Sequence, residues 1–450
     1  MDMLHGKLAG KLILFALPIA TSSVFQQLFN AADTAVVGKF ADANALAAVG
    51  TNGEIVALLV SLSVGLAVGA NVLLARLIGA GQQKKMKDAV STAMVLALVF
   101  GILGGIAGQW VACPLLELIH TPNEIMDLAL LYLKLYFVGY PALLVYDFGA
   151  AILRAGGDSK RPFIILLLSG AVNVLLNLFF VIVCHMGVAG VALATDIANV
   201  IAMLMIIALL LRKGTPYQLD LHHLTVRWKL IGKLLQIGIP TAIQGAVFCF
   251  ANIFVQAAVN GFGATVIAGS SIAMNYEYFG YYVITAFGQA ATTFVSQNYA
   301  AGNRKRCWKV MWICIGFSVL FSGLVTVPLT VFRFGVSGLF SPDANVVREA
   351  ALRVIYILTF EPICGMYEVP AGYLRGIGYS TAPAVVTILG TCVLRIVWTQ
   401  TYFPAVGTLR SLYMVFPVSW VADTVLMWVV FLVLCRKRSG EKYSLRNIAK

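Results

Sequence analysis

Long apolar runs are the feature that most limits what this 450-residue chain can fold into. Each run is about 20 residues or longer, and a helix of that length crosses a hydrocarbon core of about 30 Å. Hydrophobic residues make up 60% of the sequence and charged residues only 11%, too few to cover the surface of a soluble protein. The runs predict an all-α membrane protein with twelve transmembrane helices. They lie near residues 12–38, 52–78, 91–113, 127–153, 162–184, 188–211, 233–262, 267–298, 309–332, 346–374, 383–405 and 409–435.

The positions of Lys and Arg predict the orientation in the membrane. Most of the 32 basic residues fall in alternate loops, including Lys84 to Lys87, Arg304 to Lys309 and the tail from Arg436. Cytoplasmic loops are enriched in Lys and Arg, so we expect a multi-pass protein of the plasma (inner) membrane with both termini in the cytoplasm. This topology accounts for the net charge of +13. The basic residues lie on no soluble domain, so we expect no nucleic-acid partner.

The second half of the sequence repeats the first at an offset of about 221 residues. The loop Leu153–Ser159 resembles Leu374–Ser380, and Pro18 matches Pro240. Six spans per half mean that both halves enter the membrane in the same sense, which predicts two pseudo-symmetric six-helix bundles related by an axis along the membrane normal. Rocking two such lobes would open a central cleft to either side, and we expect a monomer to suffice. The predicted parts are an N-lobe (1–215), a cytoplasmic linker (216–232) and a C-lobe (233–450).

Carboxylates inside the apolar spans are candidates for function, because each costs about 2.5–3.5 kcal/mol to insert. Four of them occupy matching positions of the two halves: Glu54 pairs with Glu277, and Asp147 with Glu368. Matched acids predict that both lobes face a shared cleft that attracts a cationic substrate. The alternative is that these acids pair with arginines or cap broken helices near the membrane surface.

Asp33 differs from these acids because its repeat partner is Val255. Asn173 and Asn177 lie four residues apart on one face of the fifth helix, and Thr195 on the sixth helix lies at a similar depth. One carboxylate with amide and hydroxyl oxygens at one depth could bind Na⁺ or hold a transferable proton. The alternative is interhelical hydrogen bonding by Asn and Thr, worth about 1 kcal/mol for each bond.

Enzymatic chemistry finds little support in the sequence. The sequence contains neither a Gly-x-Ser-x-Gly nor an HExxH motif. Its eight Cys are scattered without zinc spacing. We therefore expect no enzyme, no cofactor, and no metal beyond a possible Na⁺ at Asp33.

Three groups of residues resemble the multidrug and toxic compound extrusion (MATE) family. They are Asn30–Thr34 with Gly38, the Leu153–Asp158 loop, and Asn173 and Asn177 followed by Gly187–Thr195. The resemblance covers essentially the whole chain. It implies an antiporter that uses a H⁺ or Na⁺ gradient to export cationic amphipathic compounds by alternating access. It also implies that Pro18 is the helix-one proline that bends on protonation.

The family's site residues can be compared one by one. Asp33 matches the helix-one acid, and Asn173 and Thr195 match its partners, whereas Asn177 departs from the Asp common in archaeal and DinF-like members. Phe248 and Cys364 stand where the NorM-like branch has acids. The resemblance therefore favours the DinF-like branch and places ion coupling in the first lobe.

Other functions stay open beside this resemblance. A lipid-linked oligosaccharide flippase of the same superfamily is the nearest alternative, followed by a passive channel and a membrane-embedded enzyme. Acidic residues at the predicted cleft favour a cationic substrate over a flippase substrate.

Overall fold

The structure is a computed structural model that describes residues 1–119, 121–215 and 217–440. Helices and the turns between them make up the described residues, and no strand occurs among them. The predicted all-α class is therefore confirmed. The basic tail was predicted to run to residue 450, and its part beyond residue 440 lies outside the described residues.

Six long helical segments form the first part of the chain. They end where the apolar runs give way to polar residues, as at Asp42, whose carboxylate accepts a hydrogen bond from the backbone N–H of Ala45 at 2.7 Å and caps the second helix. The fifth segment continues into a π-helical turn, Phe179–Val183. Such turns are rare and frequently lie at functional sites. The helices are α1 (Leu8–Phe40), α2 (Ala43–Gly79), α3 (Gln83–Leu118), α4 (Asn123–Ala155), α5 (Lys160–Leu178) and α6 (Gly187–Leu210).

The second part of the chain repeats this order with more interruptions. A 3₁₀ turn, Glu361–Cys364, contains Pro362 and interrupts one span, and a second π-helical turn, Ile388–Val393, interrupts the next. Proline lacks the N–H that an unbroken helix needs at that point. The helices are α7 (Trp228–Asn260), α8 (Ala264–Ala300), α9 (Arg304–Val331), α10 (Arg333–Gly338), α11 (Ala344–Ile357), α12 (Gly365–Gly376), α13 (Thr381–Thr387), α14 (Leu394–Gln400), α15 (Tyr402–Val406), α16 (Leu409–Tyr413) and α17 (Val415–Gly440).

Eleven helical segments among the described residues are long and apolar enough to cross a membrane. The one predicted span that is not among these eleven is α8, which has 37 residues and is about 55 Å long. It is more polar because it carries residues such as Asn275, Glu277 and Gln289. The prediction of twelve transmembrane helices is confirmed.

The helices gather into two compact units. The first combines Met1–Cys249 with Thr293–Val310, and the second combines Phe250–Thr292 with the chain from Met311 onward. These boundaries cut through α7, α8 and α9, whereas the predicted lobes meet at the linker 216–232. The lobe boundaries follow the sequence repeat and stay a prediction.

In the first unit, α7 and the end of α8 pack closely on helices from the first half of the sequence. A methyl group at Gly69 of α2 would lie 3.1 Å from the backbone nitrogen of Gly238 on α7, so the two backbones approach each other without side chains between them. Two residues beyond Gly69 on α2, Asn71 donates to the carbonyl of Ala151 at 3.1 Å and accepts from the hydroxyl of Thr293 at 3.0 Å. A single buried amide thus joins α2, α4 and α8.

The segment before α1 is also fixed within the first unit. Arg306, in the first turn of α9, donates to the backbone carbonyls of Met3 at 3.2 Å, His5 at 3.0 Å and Gly6 at 2.9 Å. Asn298 at the end of α8 donates to the Met3 carbonyl as well, at 3.2 Å. The Met3 side chain is buried. One guanidinium therefore holds three carbonyl groups of the N-terminal segment.

Aromatic side chains supply part of the core of the second unit. Phe287 of α8 stacks on Phe321 of α9 with ring centroids 5.9 Å apart. Tyr373 of α12 meets Phe431 of α17 edge to face at 5.2 Å. Such contacts bury large apolar areas and add about 0.5–1.5 kcal/mol per pair.

Candidate functional site

A close approach of α1 to α5 sets the position of Asp33. The ring of Phe29 lies where a side chain at Gly170 would stand, so only glycine at position 170 allows the two helices to come this near. Asp33 is one turn beyond Phe29, and Asn173 is nearly one turn beyond Gly170. The aspartate therefore faces the asparagines of α5.

Four side chains predicted from the sequence meet at this point. Asn177 donates to the carboxylate of Asp33. With the nitrogen of its amide turned toward Asp33, Asn173 donates to the same carboxylate at 2.9 Å, and its oxygen lies 3.2 Å from the hydroxyl of Thr195. The hydroxyl of Thr195 has one proton, and the backbone carbonyl of Val191 lies 3.0 Å from it as a second acceptor. The structure thus brings Asp33, Asn173, Asn177 and Thr195 together.

The electrostatic setting of Asp33 is unusual for a carboxylate. The residue is 9% exposed and Asn177 is fully buried, yet the hydrogen bonds that the described residues make to Asp33 come from neutral amides. No Lys, Arg or His of the described chain forms an ion pair with it. A buried carboxylate without a counter-charge is costly, and binding of a cation or proton would remove that cost.

An oxygen atom without a partner adds to the oxygen-rich character of the site. The amide oxygen of Asn177 is buried and has no hydrogen-bond partner among the described residues. The carboxylate of Asp33 and the hydroxyl of Thr195 are further oxygen atoms of this site, and oxygen is the ligand type that a hard cation prefers. The described part of the chain contains no group of three His, Cys, Asp or Glu side chains that could hold a metal ion. The oxygen atoms at this site are of the ligand type that Na⁺ takes, and the carboxylate of Asp33 can also hold a proton.

Sequence reasoning gave no role to two tyrosines of α4. Tyr132 lies within electrostatic range of Asp33 and of Asp196, and its ring stacks on Tyr136 at 6.4 Å. Asp196 is buried against Gly139 of α4. The four-residue spacing of the tyrosines puts them on one face of α4. This spacing is the sequence pattern that could have indicated that the two tyrosines lie together.

The matched acids sit in a different setting from Asp33. Glu277 forms an ion pair with Arg353 at 2.9 Å, and Glu368 one with Arg375, also at 2.9 Å. Asp147 accepts a hydrogen bond from Ser63 at 2.6 Å, and Glu54 is exposed. The predicted alternative of pairing with arginine therefore describes the geometry at Glu277 and Glu368. A role for the four acids in a cleft stays a prediction.

Comparison with known proteins assigns the family. The sequence profile of the MatE family matches residues 18–179 and 240–400. The chain belongs to the MatE family. It is a multi-pass membrane transporter and not an enzyme, as the sequence predicted. The assignment to the DinF-like branch stays a prediction.

Named relatives and solved structures agree with this family. The probable multidrug resistance protein YpnP of Bacillus subtilis is 28% identical over 409 residues, which are 90% of this chain and 91% of YpnP. The probable multidrug resistance protein NorM of Thermotoga maritima is 27% identical over 86% of this chain and 84% of its own length. An outward-facing multidrug resistance MATE family transporter of the MOP superfamily superposes with a TM-score of 0.88 at 22% identity, covering 98% of both chains.

Pro18 lies inside the first helix of this MATE transporter. The helix α1 runs from Leu8 to Phe40 with Pro18 within it, and the hydroxyl of Ser22 donates to the Pro18 carbonyl at 2.7 Å. Because proline has no backbone N–H, this turn of α1 lacks one helical hydrogen bond. The proposed bend at Pro18 stays a prediction.

The second unit of this MATE transporter contains a buried polar cluster around one arginine. Arg395 is 1% exposed and donates to Asn252 at 2.7 Å and to Ser419 at 3.3 Å. Asp423, also buried, accepts a hydrogen bond from Thr391 within the π-helical turn. Arg395 lies over the ring of Phe416 at 4.6 Å. This polar cluster was not predicted from the sequence.

Glu361 belongs to the same region and was also not assigned from the sequence. It is 1% exposed and begins the 3₁₀ turn that ends at Cys364. The position predicted to lack the acid of the NorM-like branch therefore has a buried carboxylate one turn before it. Glu361 is close enough to Glu277 for an electrostatic interaction. Its neighbour Cys364 is similarly close to Arg395 and Asp423.

Proposed function

We propose that this MATE transporter is a cation-coupled antiporter that exports cationic amphipathic compounds by alternating access. The driving ion, H⁺ or Na⁺, binds at Asp33. The observation that carries the proposal is the isolation of this buried carboxylate among neutral amides and a hydroxyl. Membership of a transporter family and the names of relatives such as YpnP support the choice of substrate class.

The amide of Asn173 offers a way to sense the charge on Asp33. When Asp33 is ionised, the amide nitrogen at 2.9 Å donates to it. When Asp33 carries a proton, rotation of the amide lets its oxygen accept that proton's hydrogen bond, and its nitrogen donates to Thr195 at 3.2 Å. Thr195 then donates to Val191. Loading of the ion is thereby linked to the contacts between α1, α5 and α6.

Sodium would use the same atoms in another way. Its ligands would be the carboxylate of Asp33, the orphan oxygen of Asn177, and the oxygens of Asn173 and Thr195. A proton and Na⁺ therefore compete for one negative charge. With Asn at position 177 the site has one titratable group, so we expect about one proton per cycle from it.

The substrate is proposed to interact with the four matched acids. A carboxylate close to a cation in partly dry surroundings gains several kcal/mol at an effective dielectric near 20. At Glu277 and Glu368 the substrate would compete with Arg353 and Arg375, so Glu54 and Asp147 carry the less compensated charges. We further propose that the transporter works as a monomer in the plasma membrane with both termini cytoplasmic.

Transport by reconstituted protein tests the proposal. Purified wild type and Asp33→Asn are placed in proteoliposomes, and uptake of ethidium is followed under an imposed pH gradient, an imposed Na⁺ gradient, or neither. We expect uphill transport by the wild type under one gradient. Asp33→Asn should bind ethidium with little change but transport it uphill at least about tenfold more slowly. This rate change corresponds to about 1.4 kcal/mol or more in activation free energy.

The alternatives give different results in the same assay. Equal rates with and without gradients would indicate a channel. Movement of a fluorescent lipid-linked oligosaccharide without ethidium transport would indicate a flippase. Uphill transport by Asp33→Asn at the wild-type rate would place the coupling ion elsewhere, and Glu361 would be the next residue to test.

A further inference from the structure

The turn that joins α8 to α9 belongs to a different compact unit from most of these two helices. Residues Thr293–Val310 are part of the first unit, whereas the rest of α8 and α9 belongs to the second. We call this stretch, Thr293–Val310, the α8–α9 tip. Because the tip departs from the unit of its own helices, its contacts within the first unit determine where it lies.

Two helix ends from the first half of the sequence contact the α8–α9 tip directly. The amide of Gln297 donates to the carbonyl of Ala155, the last residue of α4, at 2.6 Å. The backbone of Gln297 also lies where a side chain at Gly79, the last residue of α2, would stand. The tip is therefore located at the end of the bundle where α2 and α4 end.

The N-terminal segment, residues 1–7, forms a second link to the α8–α9 tip. Arg306 donates to three carbonyl groups between Met3 and Gly6, at distances of 2.9 to 3.2 Å. Asn298, which is fully buried, donates to the carbonyl of Met3 at 3.2 Å. Four hydrogen bonds from two side chains of the tip therefore hold the N-terminal segment.

On its other side the N-terminal segment is attached to the first half of the sequence. Lys11, in the first turn of α1, donates to the carbonyls of Asp2 and His5, each at 2.6 Å. The backbone of Met1 lies where a side chain at Gly157, in the loop between α4 and α5, would stand. The segment therefore spans from a loop of the first half of the sequence to the α8–α9 tip.

The contacts of the N-terminal segment are of a kind that can break and reform. Met3 is the one buried side chain among residues 1–7, so detachment exposes little apolar surface. A hydrogen bond that is broken in contact with water is replaced by bonds to water, which makes its net free energy small. Segments with few buried apolar contacts open at low free energy. The link is therefore specific in geometry and also reversible.

We propose that the N-terminal segment locks the α8–α9 tip to the first unit, and that it must release the tip in each transport cycle. This inference rests on the alternating access proposed above, in which the two predicted lobes part at one end and then at the other. The tip belongs to the second half of the sequence and the segment to the first. The lobes therefore cannot part at this end while the four hydrogen bonds to residues 1–7 hold.

A reversible cross-link tests whether release is required. His5 and Lys305 are exposed on the two sides of the link. In full-length His5→Cys/Lys305→Cys the two thiols are joined by a bis-methanethiosulfonate reagent, and ethidium transport is measured in proteoliposomes. We expect cross-linking to slow transport at least about tenfold, because opening at this end is a step of every cycle. A reducing agent, which cleaves the cross-link, should restore the rate.

The single variants His5→Cys and Lys305→Cys, treated with the same reagent, are the controls and should keep their rates. Cross-linked protein that transports as fast as the reduced protein would overturn the proposed lock. This result differs from a failure of the proposed function, in which the reduced protein would show no gradient-driven transport either.

Weakening the link tests the same lock in the opposite direction. Arg306→Gln removes the guanidinium that holds three carbonyl groups, and hydrogen–deuterium exchange is measured in nanodiscs. We expect exchange at the ends of α2, α4 and α8 to rise at least about tenfold. Arg304→Gln removes the same charge from an exposed position of the same helix and should leave exchange unchanged.

Two other results of the exchange experiment would overturn the proposal. Equal increases in Arg306→Gln and Arg304→Gln would mean that the charge of α9, and not the hydrogen bonds of Arg306, stabilises this end. An increase confined to residues 1–7 would mean that the N-terminal segment detaches without any opening of the helix ends.

Discussion

The two units of this transporter keep acidic side chains out of water in different ways. In the first unit, Asp33 is surrounded by the neutral side chains of Asn173 and Asn177. In the second unit, Glu277 is paired with Arg353, and the positive charge of Arg395 reaches Asp423. A guanidinium is a permanent counter-charge, whereas neutral neighbours leave that place to an exchangeable ion. The difference favours the first unit for coupling.

The sequence repeat makes this comparison sharper. Asp33 is matched by Val255, and Asn30 is matched by Asn252, which accepts a hydrogen bond from Arg395. The repeat offset puts Arg395 beside the position that matches Asn173. At related places in the fold, one unit has an acid among amides and the other has a buried arginine.

The largest expected effect comes from removing the buried arginine. Arg395→Met should lower the free energy of unfolding by about 3–5 kcal/mol, because it leaves buried polar groups without their charged partner. The measurement is thermal or denaturant unfolding of the purified protein in detergent. Asp33→Asn is the control and should lie within about 1 kcal/mol of wild type, because its neighbours carry no charge. Similar losses of unfolding free energy in both variants would contradict the idea that the second unit depends on a buried charge and the first does not.

The next effect separates the two acids by function. Asp33→Asn should reduce gradient-driven ethidium transport at least about tenfold, whereas Asp423→Asn should keep it within about threefold of wild type. Both variants are compared at equal amounts of folded protein, judged by gel filtration. A stronger loss with Asp423→Asn than with Asp33→Asn would move coupling to the second unit.

Changes at Asn177 test how many charges the site can hold. Asn177→Asp should give a site that takes up about two protons in place of one, because two nearby carboxylates titrate as a coupled pair. The readout is the number of protons exchanged per substrate, obtained by balancing a pH gradient against a substrate gradient. Asn177→Ala should keep the stoichiometry of wild type. An unchanged stoichiometry in Asn177→Asp would mean that position 177 does not contribute to ion binding.

The smallest expected effect is at the rim of the site. Thr195→Val removes one hydroxyl of similar size and should weaken ion affinity by about 0.5–1.5 kcal/mol, a factor of roughly 2 to 13. Maximal transport at saturating ion should change little. Thr399→Val, on a helix of the second unit, is the matched control and should leave ion affinity unchanged. A drop in maximal rate without a change in affinity would contradict a ligand role for Thr195.

Local sequence patterns predicted the spans well and their interruptions poorly. The first span was predicted near 12–38 and is observed at Leu8–Phe40, because helices continue past the apolar run into polar ends. The span near 346–374 is observed as α11, a 3₁₀ turn and α12, with Pro362 at the break. Hydropathy is insensitive to such breaks, since the residues around them remain apolar.

The candidate site shows the same contrast between local and distant information. Spacing along α5 and depth relative to α6 were enough to predict that Asn173, Asn177 and Thr195 lie near Asp33. The partner of Glu277, by contrast, is Arg353 on α11, far along the chain. No periodicity links two such positions, so the ion-pair partners of Glu277 and Glu368 could be found only in the structure.

The hydrogen bonds from Arg306 to the segment before α1 determine which of its positions tolerate substitution. Its guanidinium contacts the carbonyls of Met3, His5 and Gly6, and every amino acid offers a carbonyl in the same place. Substitutions at His5, whose side chain is exposed, should therefore be tolerated. Gly6 has φ +74°, which disfavours other residues, and Met3 is buried. Selection on this segment should therefore preserve its backbone conformation and Arg306, while amino-acid substitutions accumulate at its exposed positions.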